Sequence, residues 1–383
     1  MLNRELEFKL KENLEEFIKE SARKGFKGEV KVSIYDIKTG LQVRVNGDIP
    51  GWAASIIKVP IMVTILEQIE ARKLELGTKL EVDHKLTLEP DDYVSRLKPG
   101  VKLPVSALLH YMIVRSDNEA TNMLASRVGV ECINDTMSRL GMKKSMLGHL
   151  LCPGVPRYTS DFNPDGSNIT CADDMTTLFR HLYDPAFSKL TENVRNLADL
   201  IMVPTRAVYI NQGSYFKLLA KAKIGSIYNP EDGADIHETG IIEDRLIVTL
   251  MGNKLGKRKK RKVSISTETP RTENLVVQKQ QPLRDLTTIS PEDDYAEVRE
   301  WHPANLTLRT QQPRIDLTTI SPEDDYAEVR EWCAPLEAMK ILERFKEPKG
   351  PYSKSCFRLS LTPDFQEVYD GIMKRVSRAI PLT

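Results

Sequence analysis

The first apolar pattern in the chain has the period of a helix. Between residues 3 and 24, apolar residues recur every three or four positions among Glu and Lys: Leu6, Leu10, Leu14, Phe17 and Ile18. This pattern predicts an amphipathic helix with a solvent-facing side. Residues 31–36 and 41–45 then alternate between apolar and polar side chains on either side of Gly40, which predicts an antiparallel hairpin.

Strand patterning returns only after a long helical middle. Helical signals dominate from about residue 55 to residue 200, and strand-like segments follow at 216–223, 234–242 and 245–251. Strands at both ends of a helical middle favour one antiparallel sheet with a helical lobe. A last amphipathic helix is predicted at 363–379, where Pro363 and Asp364 suit the first turn.

The composition is that of an ordinary globular protein. The 383 residues are 40% hydrophobic and 28% charged, with a formal net charge of +1. No charge excess favours a nucleic-acid partner, and no apolar run approaches the ~20 residues that span a bilayer. Since the charged N-terminus lacks the apolar core of a signal peptide, the chain as written is expected in the cytoplasm. It is expected in the periplasm or outside the cell if a leader has been removed.

Cysteine and histidine spacing argues against a disulfide framework and a metal site. The five cysteines contain no C-x-x-C pair, and the six histidines contain neither an H-x-x-x-H nor an H-x-x-H pair. An odd number of scattered cysteines is typical of reduced thiols. We therefore expect no metal and no other cofactor.

The character of the chain changes after Gly252. A run of six basic residues occupies 257–262, and the segment 280–301 recurs at 311–332 with 20 of 22 positions identical. Two copies do not make a solenoid, which needs about three or more repeats. The repeat is either a docking or phosphorylation site in two copies, or a duplication without a role.

These features predict three parts of the chain. Residues 1–254 form the main domain, and residues 255–335 form a basic linker with the duplicated insert. The acidic, proline-broken composition of that insert predicts flexibility. Residues 336–383 form a C-terminal helical segment whose last helix is expected to pack on the main sheet.

The clearest candidate chemistry starts at Ser55. Ser55 and Lys58 lie three residues apart at the start of a predicted helix, so their side chains share one face. A serine hydroxyl is a poor nucleophile unless a neighbour takes its proton, and a lysine can do so where burial or nearby cations lower its pKa. A lone S-x-x-K pair is common by chance, so it needs support elsewhere in the chain.

Ser116-Asp117-Asn118 lies 61 residues after Ser55. Its hydroxyl can relay a proton, and its Asn amide can hold a substrate carbonyl and the Lys58 amine. The same triplet can also be a plain helix N-cap.

Lys223-Ile224-Gly225-Ser226 starts 107 residues after Ser116, at the end of a predicted strand. A lysine there can bind a substrate carboxylate, and a glycine allows close approach to the strand. The next backbone N–H can join an oxyanion hole.

In the order S-x-x-K, S-D-N, K-x-G, these motifs resemble the active-site signature of serine β-lactamases and penicillin-binding proteins. The intervals are close to those of the class A β-lactamases, and the resemblance covers about residues 1–254. It implies an α/β (α+β) fold, in which an antiparallel five-stranded sheet is flanked by the terminal helices and joined to an all-helical lobe.

The resemblance also implies catalytic roles at the matching positions. Ser55 would be the acylated nucleophile, and Lys58 its base or the partner of that base. Ser116 would pass a proton to the leaving nitrogen, and Lys223 would bind the substrate carboxylate and help to poise Ser116.

Substrate would be oriented by Asn118, with Gly225 allowing close approach. The N–H groups of Ser55 and Ser226 would form the oxyanion hole. Tyr93, in the segment before Ser116, would form a wall of the cleft.

Two departures from the family pattern affect the predicted activity. Ile224 replaces the Thr or Ser of the third motif, so a hydroxyl that helps to hold a substrate carboxylate is missing. The glutamate that activates water for deacylation in class A enzymes should fall near residues 151–155, where the chain has no carboxylate. Asp161 is the candidate substitute base.

The sequence therefore predicts a monomeric serine hydrolase that acts through an acyl-Ser55 intermediate on a β-lactam or a D-alanyl peptide. β-Lactamase activity is the first interpretation. A penicillin-binding, peptidase-like or esterase-like protein with slow deacylation is the alternative, and a catalytically silent scaffold is a second alternative.

Overall fold

The computed structural model describes residues 2–85, 92–152, 154–202, 220–229, 233–256 and 363–381. Its helices are α1 (Leu2–Arg23), α2 (Lys58–Glu70), α3 (Val105–Val114), α4 (Asn118–Val128), α5 (Val130–Arg139), α6 (Ala172–Tyr183), α7 (Glu192–Ile201) and α8 (Pro363–Ala379). Its strands are β1 (Glu29–Asp36), β2 (Gln42–Val45), β3 (Gly51–Trp52), β4 (Lys79–Glu81), β5 (Lys102–Pro104), β6 (Ile169–Thr170), β7 (Ala220–Asn229), β8 (Gly233–Ile242) and β9 (Leu246–Leu255).

Five strands form one antiparallel sheet in the order β2-β1-β9-β8-β7. β1 pairs with β2 through the predicted hairpin, and with β9 from Glu29 opposite Asn253 to Asp36 opposite Leu246. β8 joins β9 to the edge strand β7. Two small strand pairs, β3-β6 and β4-β5, interrupt the helical middle. The predicted five-stranded sheet with terminal helices and a helical lobe is confirmed.

The edge strand β7 corrects one expectation. The sequence predicted a strand over 216–223 that ended in the Lys223 motif, whereas β7 is paired with β8 as far as Asn229 opposite Gly233. The motif therefore lies inside the strand, because the β-branched and aromatic residues Ile227 and Tyr228 extend it. Residues 216–219 lie outside the described residues.

Strand alternation divides the buried apolar residues between two cores. Because successive side chains of a strand point to opposite faces, β1 contributes Val30, Val32 and Ile34 to the core under the terminal helices. That core also contains Leu10, Leu14, Phe365, Ile372 and Val376. The helical lobe has its own core around α2, including Ile61, Met62, Ile65, Leu108 and Phe179. The amphipathic helix predicted near the N-terminus is confirmed, with Leu10 and Leu14 on its buried side.

The C-terminal helix α8 packs on α1 and on the sheet. Phe365 lies so close to Gly252 of β9 that a Cβ on the glycine would come within 2.5 Å of the ring. Tyr369 Oη donates a hydrogen bond to Glu238 Oε2 at 2.7 Å, and both residues are buried. The basic run, both repeats and the first part of the predicted C-terminal helical segment lie outside the described residues, and the domain boundaries stay a prediction.

Replacing Tyr369 by Phe tests this attachment of α8. The variant keeps the ring but removes a donor to the buried Glu238, so we expect the free energy of unfolding to fall by about 1–3 kcal/mol. Urea denaturation measures it. Tyr228→Phe is the matched control, since Tyr228 is 60% exposed and should change stability by less than about 0.5 kcal/mol. Equal losses in the two variants would contradict the assigned contact.

Candidate active site

Ser55 lies in a single 3₁₀ turn, Ala54–Ile57, directly before α2. The sequence predicted the start of an α-helix here. The difference favours the pairing of Ser55 with Lys58, because three residues per turn place side chains at i and i+3 above each other. Ser55 is half-buried, and Lys58, the first residue of α2, is fully buried.

The backbone ahead of Ser55 is anchored to two other parts of the fold. His237 Nε2 of β8 donates a hydrogen bond to the carbonyl of Trp52 at 2.7 Å, and the N–H of Ala53 donates to the carbonyl of Asn168 at 2.8 Å. Burial lowers the pKa of His237 to about 4. The imidazole is therefore neutral at physiological pH, with its proton on Nε2 for the bond to Trp52.

Lys58 joins the first predicted motif to the second. Its Nζ donates hydrogen bonds to the carbonyl oxygen of Ser116, to Ser116 Oγ at 3.2 Å and to Asn118 Oδ1 at 2.7 Å. An ammonium group can donate all three of these bonds, whereas the neutral amine that a base requires donates two and accepts the third from the Ser116 hydroxyl. Lys58 thus joins Ser116 and Asn118, which lie 58 and 60 residues later in the chain, to the turn that carries Ser55.

The Ser116-Asp117-Asn118 segment is a helix cap as well as a candidate catalytic motif. Asp117 caps α4 by accepting a hydrogen bond from the N–H of Ala120 at 2.7 Å, and it also accepts one from the N–H of Val94 at 2.9 Å. Ser116 has φ of 57°, a left-handed conformation that is uncommon for a residue other than glycine. The cap reading and the site reading are therefore compatible, with Asp117 holding the turn that presents Ser116 and Asn118.

Lys223 of β7 is buried and electrostatically coupled to Lys58. Its side chain lies on the edge strand that contacts the 3₁₀ turn of Ser55. Burial, and then the charge of Lys58, hold the pKa of Lys223 well below its usual value. The charge of Lys58 in the first motif thus acts on Lys223 in the third.

Gly225 allows β7 to approach Ser55. A Cβ at this position would lie 2.7 Å from the backbone N of Ser55 and 2.9 Å from that of Ile56. The sequence assigned this space to a ligand, whereas in the structure the backbone of the nucleophile turn occupies it. Ser226, the next residue, is exposed. Because β7 is an edge strand among the described residues, alternate backbone N–H groups along it have no partner strand there.

Asn122 is a site residue that the sequence analysis missed. It lies four residues after Asn118 on α4 and is fully buried. Its Nδ2 donates to the carbonyl of Leu151 at 2.9 Å, and its Oδ1 accepts from the N–H of Leu151 at 2.6 Å. The i, i+4 spacing of two asparagines was the available signal. This amide fixes the backbone in the region where a deacylating carboxylate was expected, and the side chain there is a leucine.

The remaining predicted residues lie at the periphery. Asp161 is exposed. Asp165, another carboxylate nearby in the chain, is also exposed and accepts a hydrogen bond from Ser167 Oγ at 2.9 Å. Tyr93 is 44% exposed and stacks on Tyr111 of α3 with ring centroids 6.1 Å apart.

Within the described ranges, no group of three or more His, Cys, Asp or Glu side chains could hold a metal ion. Over the same ranges, no helix has both the length and the apolar character needed to cross a membrane.

Several solved structures share this fold. A β-lactamase from Sphaerobacter thermophilus is 21% identical with a TM-score of 0.52, and the match covers 64% of this chain and 89% of that one. A Leu-to-Glu mutant of PBP-A, solved as an acyl-enzyme complex with penicillin G, is 19% identical with a TM-score of 0.53, over 63% and 87% of the two chains. An ancestral class A β-lactamase is 20% identical with a TM-score of 0.52, over 65% and 92%.

A family model gives the sequence-level relationship. No curated protein matches the chain, but the model described as the β-lactamase enzyme family matches residues 10–267, which include all three motifs. The resemblance inferred from those motifs is confirmed, and the chain belongs to the β-lactamase enzyme family.

Proposed function

We propose that this protein is a monomeric serine hydrolase that opens β-lactam rings through an acyl intermediate on Ser55. The observation that carries the proposal is the position of Lys58, one 3₁₀ turn from Ser55 and within hydrogen-bond distance of Ser116 Oγ and Asn118 Oδ1. A nucleophile, a base and a hydroxyl relay then converge on one point, as acyl transfer requires.

In the acylation step, Ser55 Oγ attacks the carbonyl carbon of the lactam and its proton passes to the Lys58 amine. The carbonyl oxygen becomes an oxyanion, which the backbone N–H groups of Ser55 and Ser226 stabilise. As the carbon–nitrogen bond breaks, the proton moves from Lys58 through Ser116 Oγ to the leaving nitrogen. The product is an ester on Ser55 with the ring opened.

Substrate orientation falls to the other two motif residues. Asn118 binds Lys58 and presents its amide to the substrate, and Lys223 binds the substrate carboxylate. Ile224 provides no hydroxyl next to Lys223. The substrate carboxylate is therefore held by the charge of Lys223, without the hydrogen bond that the Thr or Ser of the family's third motif would donate.

A second candidate concerns the fate of the acyl group. Leu151 is held by Asn122 where a general base was expected, and Asp161 is exposed. Without a base that activates water, the ester hydrolyses slowly. This observation favours a penicillin-binding or D-alanyl-peptidase-like protein that is acylated quickly and released slowly.

Incubation with a chromogenic cephalosporin and a fluorescent penicillin separates these functions. We expect covalent label on the wild-type protein and none on Ser55→Ala. Fast turnover of the cephalosporin indicates a β-lactamase, and stable label with little turnover indicates the penicillin-binding alternative. If neither occurs, and Ser55→Ala behaves as the wild type, the protein is not a hydrolase of this type and the scaffold interpretation replaces it.

Leu151→Glu tests whether a missing base limits release. A carboxylate at this position can activate water, so we expect the deacylation rate constant to rise by about 10²-fold or more. Loss of fluorescent label after removal of free penicillin measures this rate. Leu151→Gln is the matched control, because glutamine has the same shape as glutamate but cannot accept a proton from water at neutral pH. Equal deacylation in the two variants would refute the role of the position.

Gly225→Ala tests the contact between β7 and the nucleophile. Since its Cβ would meet the Ser55 and Ile56 nitrogens below 3 Å, we expect the acylation rate constant to fall by about 10²-fold. The control is Gly240→Ala, whose Cβ would crowd Ala222 and Lys221 at 2.6 and 2.7 Å without reaching Ser55. Both variants should lose stability, and only Gly225→Ala should lose acylation at temperatures where both are folded.

The protonation of Lys223 should appear in the pH profile. The pKa of Lys223 is lowered. As the pH rises, its ammonium group therefore loses its proton at a pH well below that of an ordinary lysine. A substrate carboxylate then has no positive charge to bind at this position. We expect kcat/KM for a penicillin to fall on this alkaline limb, but not for the methyl ester of the same penicillin. Lys223→Arg keeps its charge at high pH and should move the limb upward. Identical profiles for acid and ester would exclude this role.

A further inference from the structure

We propose that Arg96 and Arg115, placed on the ring of Tyr93, form an anion-binding subsite at the rim of the active site. The subsite selects acyl donors whose acyl side chain carries a carboxylate. This inference rests on the proposed acylation of Ser55 and adds a substrate class to it.

Tyr93 is attached to the second motif at the rim of the site. Asp92 Oδ2 accepts a hydrogen bond from the N–H of Asn118 at 2.7 Å, and the N–H of Val94 donates to Asp117 Oδ2 at 2.9 Å. Tyr93 lies between these two attachments. Its ring is therefore held beside the Ser116-Asp117-Asn118 segment by hydrogen bonds on both sides.

Two arginine side chains lie over the ring of Tyr93. Arg115 Cζ lies 5.3 Å from the centroid of the Tyr93 ring, and Arg96 Cζ lies 6.0 Å from it. Both distances fall in the range of cation–π contact. Arg115 directly precedes Ser116 in the chain, so one of the guanidinium groups belongs to the same turn as the proposed proton relay.

The ring of Tyr93, on which these cations lie, packs against other aromatic side chains. Tyr93 stacks on Tyr111 of α3 with an interplanar angle of 22°, and His110 meets Tyr111 edge-on with ring centroids 6.2 Å apart. Burial, and then the charge of Arg115, lower the pKa of His110 to about 4. His110 is therefore neutral at physiological pH, and the positive charge of the cluster is that of its two arginines.

Within the described residues, the two guanidinium groups differ from other arginines of the protein in their contacts with acids. Among the described residues, no carboxylate lies within 4.0 Å of the guanidinium of Arg96 or Arg115, whereas Arg139, Arg180 and Arg245 all have such partners. Guanidinium groups bind carboxylates through paired, charge-assisted hydrogen bonds. An exposed aromatic face with two cations thus fits an acyl side chain that combines an aryl group and a carboxylate.

This subsite lies on a different part of the fold from the carboxylate site proposed at the third motif. Lys223 lies on β7 of the sheet, whereas Arg96 and Arg115 lie in the segments before and after α3 of the helical lobe. A substrate with one carboxylate would bind only Lys223. A substrate with a second carboxylate on its acyl side chain would bind the two arginines as well.

The test compares benzylpenicillin with its α-carboxy analogue, which differs only by a carboxylate on the acyl side chain. We expect the wild-type protein to be acylated by the analogue about 5-fold faster, the effect of a partly exposed ion pair. Raising the salt concentration should lower this ratio. In Arg115→Gln and in Arg96→Gln the ratio should fall toward 1, and Arg115→Lys should keep part of it.

Arg127→Gln is the matched control, since it removes one positive charge from an exposed position of α4. It should keep the wild-type ratio. A ratio near 1 in the wild type, or an equal ratio in all variants, overturns the subsite while leaving acylation itself intact.

Ser55→Ala separates the subsite from the proposed function, because it cannot be acylated. Calorimetric titration of this variant with the two penicillins should show tighter binding of the α-carboxy analogue, and Arg115→Gln in the same background should remove the difference. Equal affinities, or no binding of either compound, overturn the inference. Absence of acylation in the wild type with a preserved difference in affinity would overturn the hydrolase function alone.

Discussion

The buried amine of Lys58 is the constraint on which the rest of the site depends. A buried amine without hydrogen-bond partners would cost free energy, and Lys58 has no exposed surface. Its hydrogen bonds go to Ser116 and Asn118, so the turn between α3 and α4 must lie against the start of α2. The same hydrogen bonds of Lys58 therefore fix the packing of the helical lobe and the geometry of the proposed catalytic groups.

The sheet forms the other side of the site, and the backbone around the site is strained. Gly225 brings β7 against the nucleophile turn, and His237 of β8 anchors the backbone before it. Ala54 and Ser116, on either side of the site, have φ of 44° and 57°. Such conformations cost of order 1–3 kcal/mol each and persist only where surrounding contacts over-determine them. The anchors from the sheet and from Asp117 provide those contacts.

Much of this arrangement could be predicted, because it follows from local patterns. Period-2 alternation located the hairpin and period-3.6 spacing located the terminal helices, and motif order pointed to the family that the comparison confirmed. The 3₁₀ turn at Ser55 could not be predicted, since it depends on packing against β7. The clamp of Asn122 on Leu151 and the attachment of Tyr93 beside Asp117 depend on contacts between distant segments, which no local pattern records.

Site mapping after reaction with benzylpenicillin tests the central claim most directly. The acylated protein is digested, and mass spectrometry identifies the residue that carries the opened penicillin. The adduct is expected on Ser55, and in Lys58→Met it should form more slowly by about 10²-fold or more. An adduct on another residue, or equally fast acylation of Ser55 in Lys58→Met, would contradict the proposal that Lys58 activates Ser55.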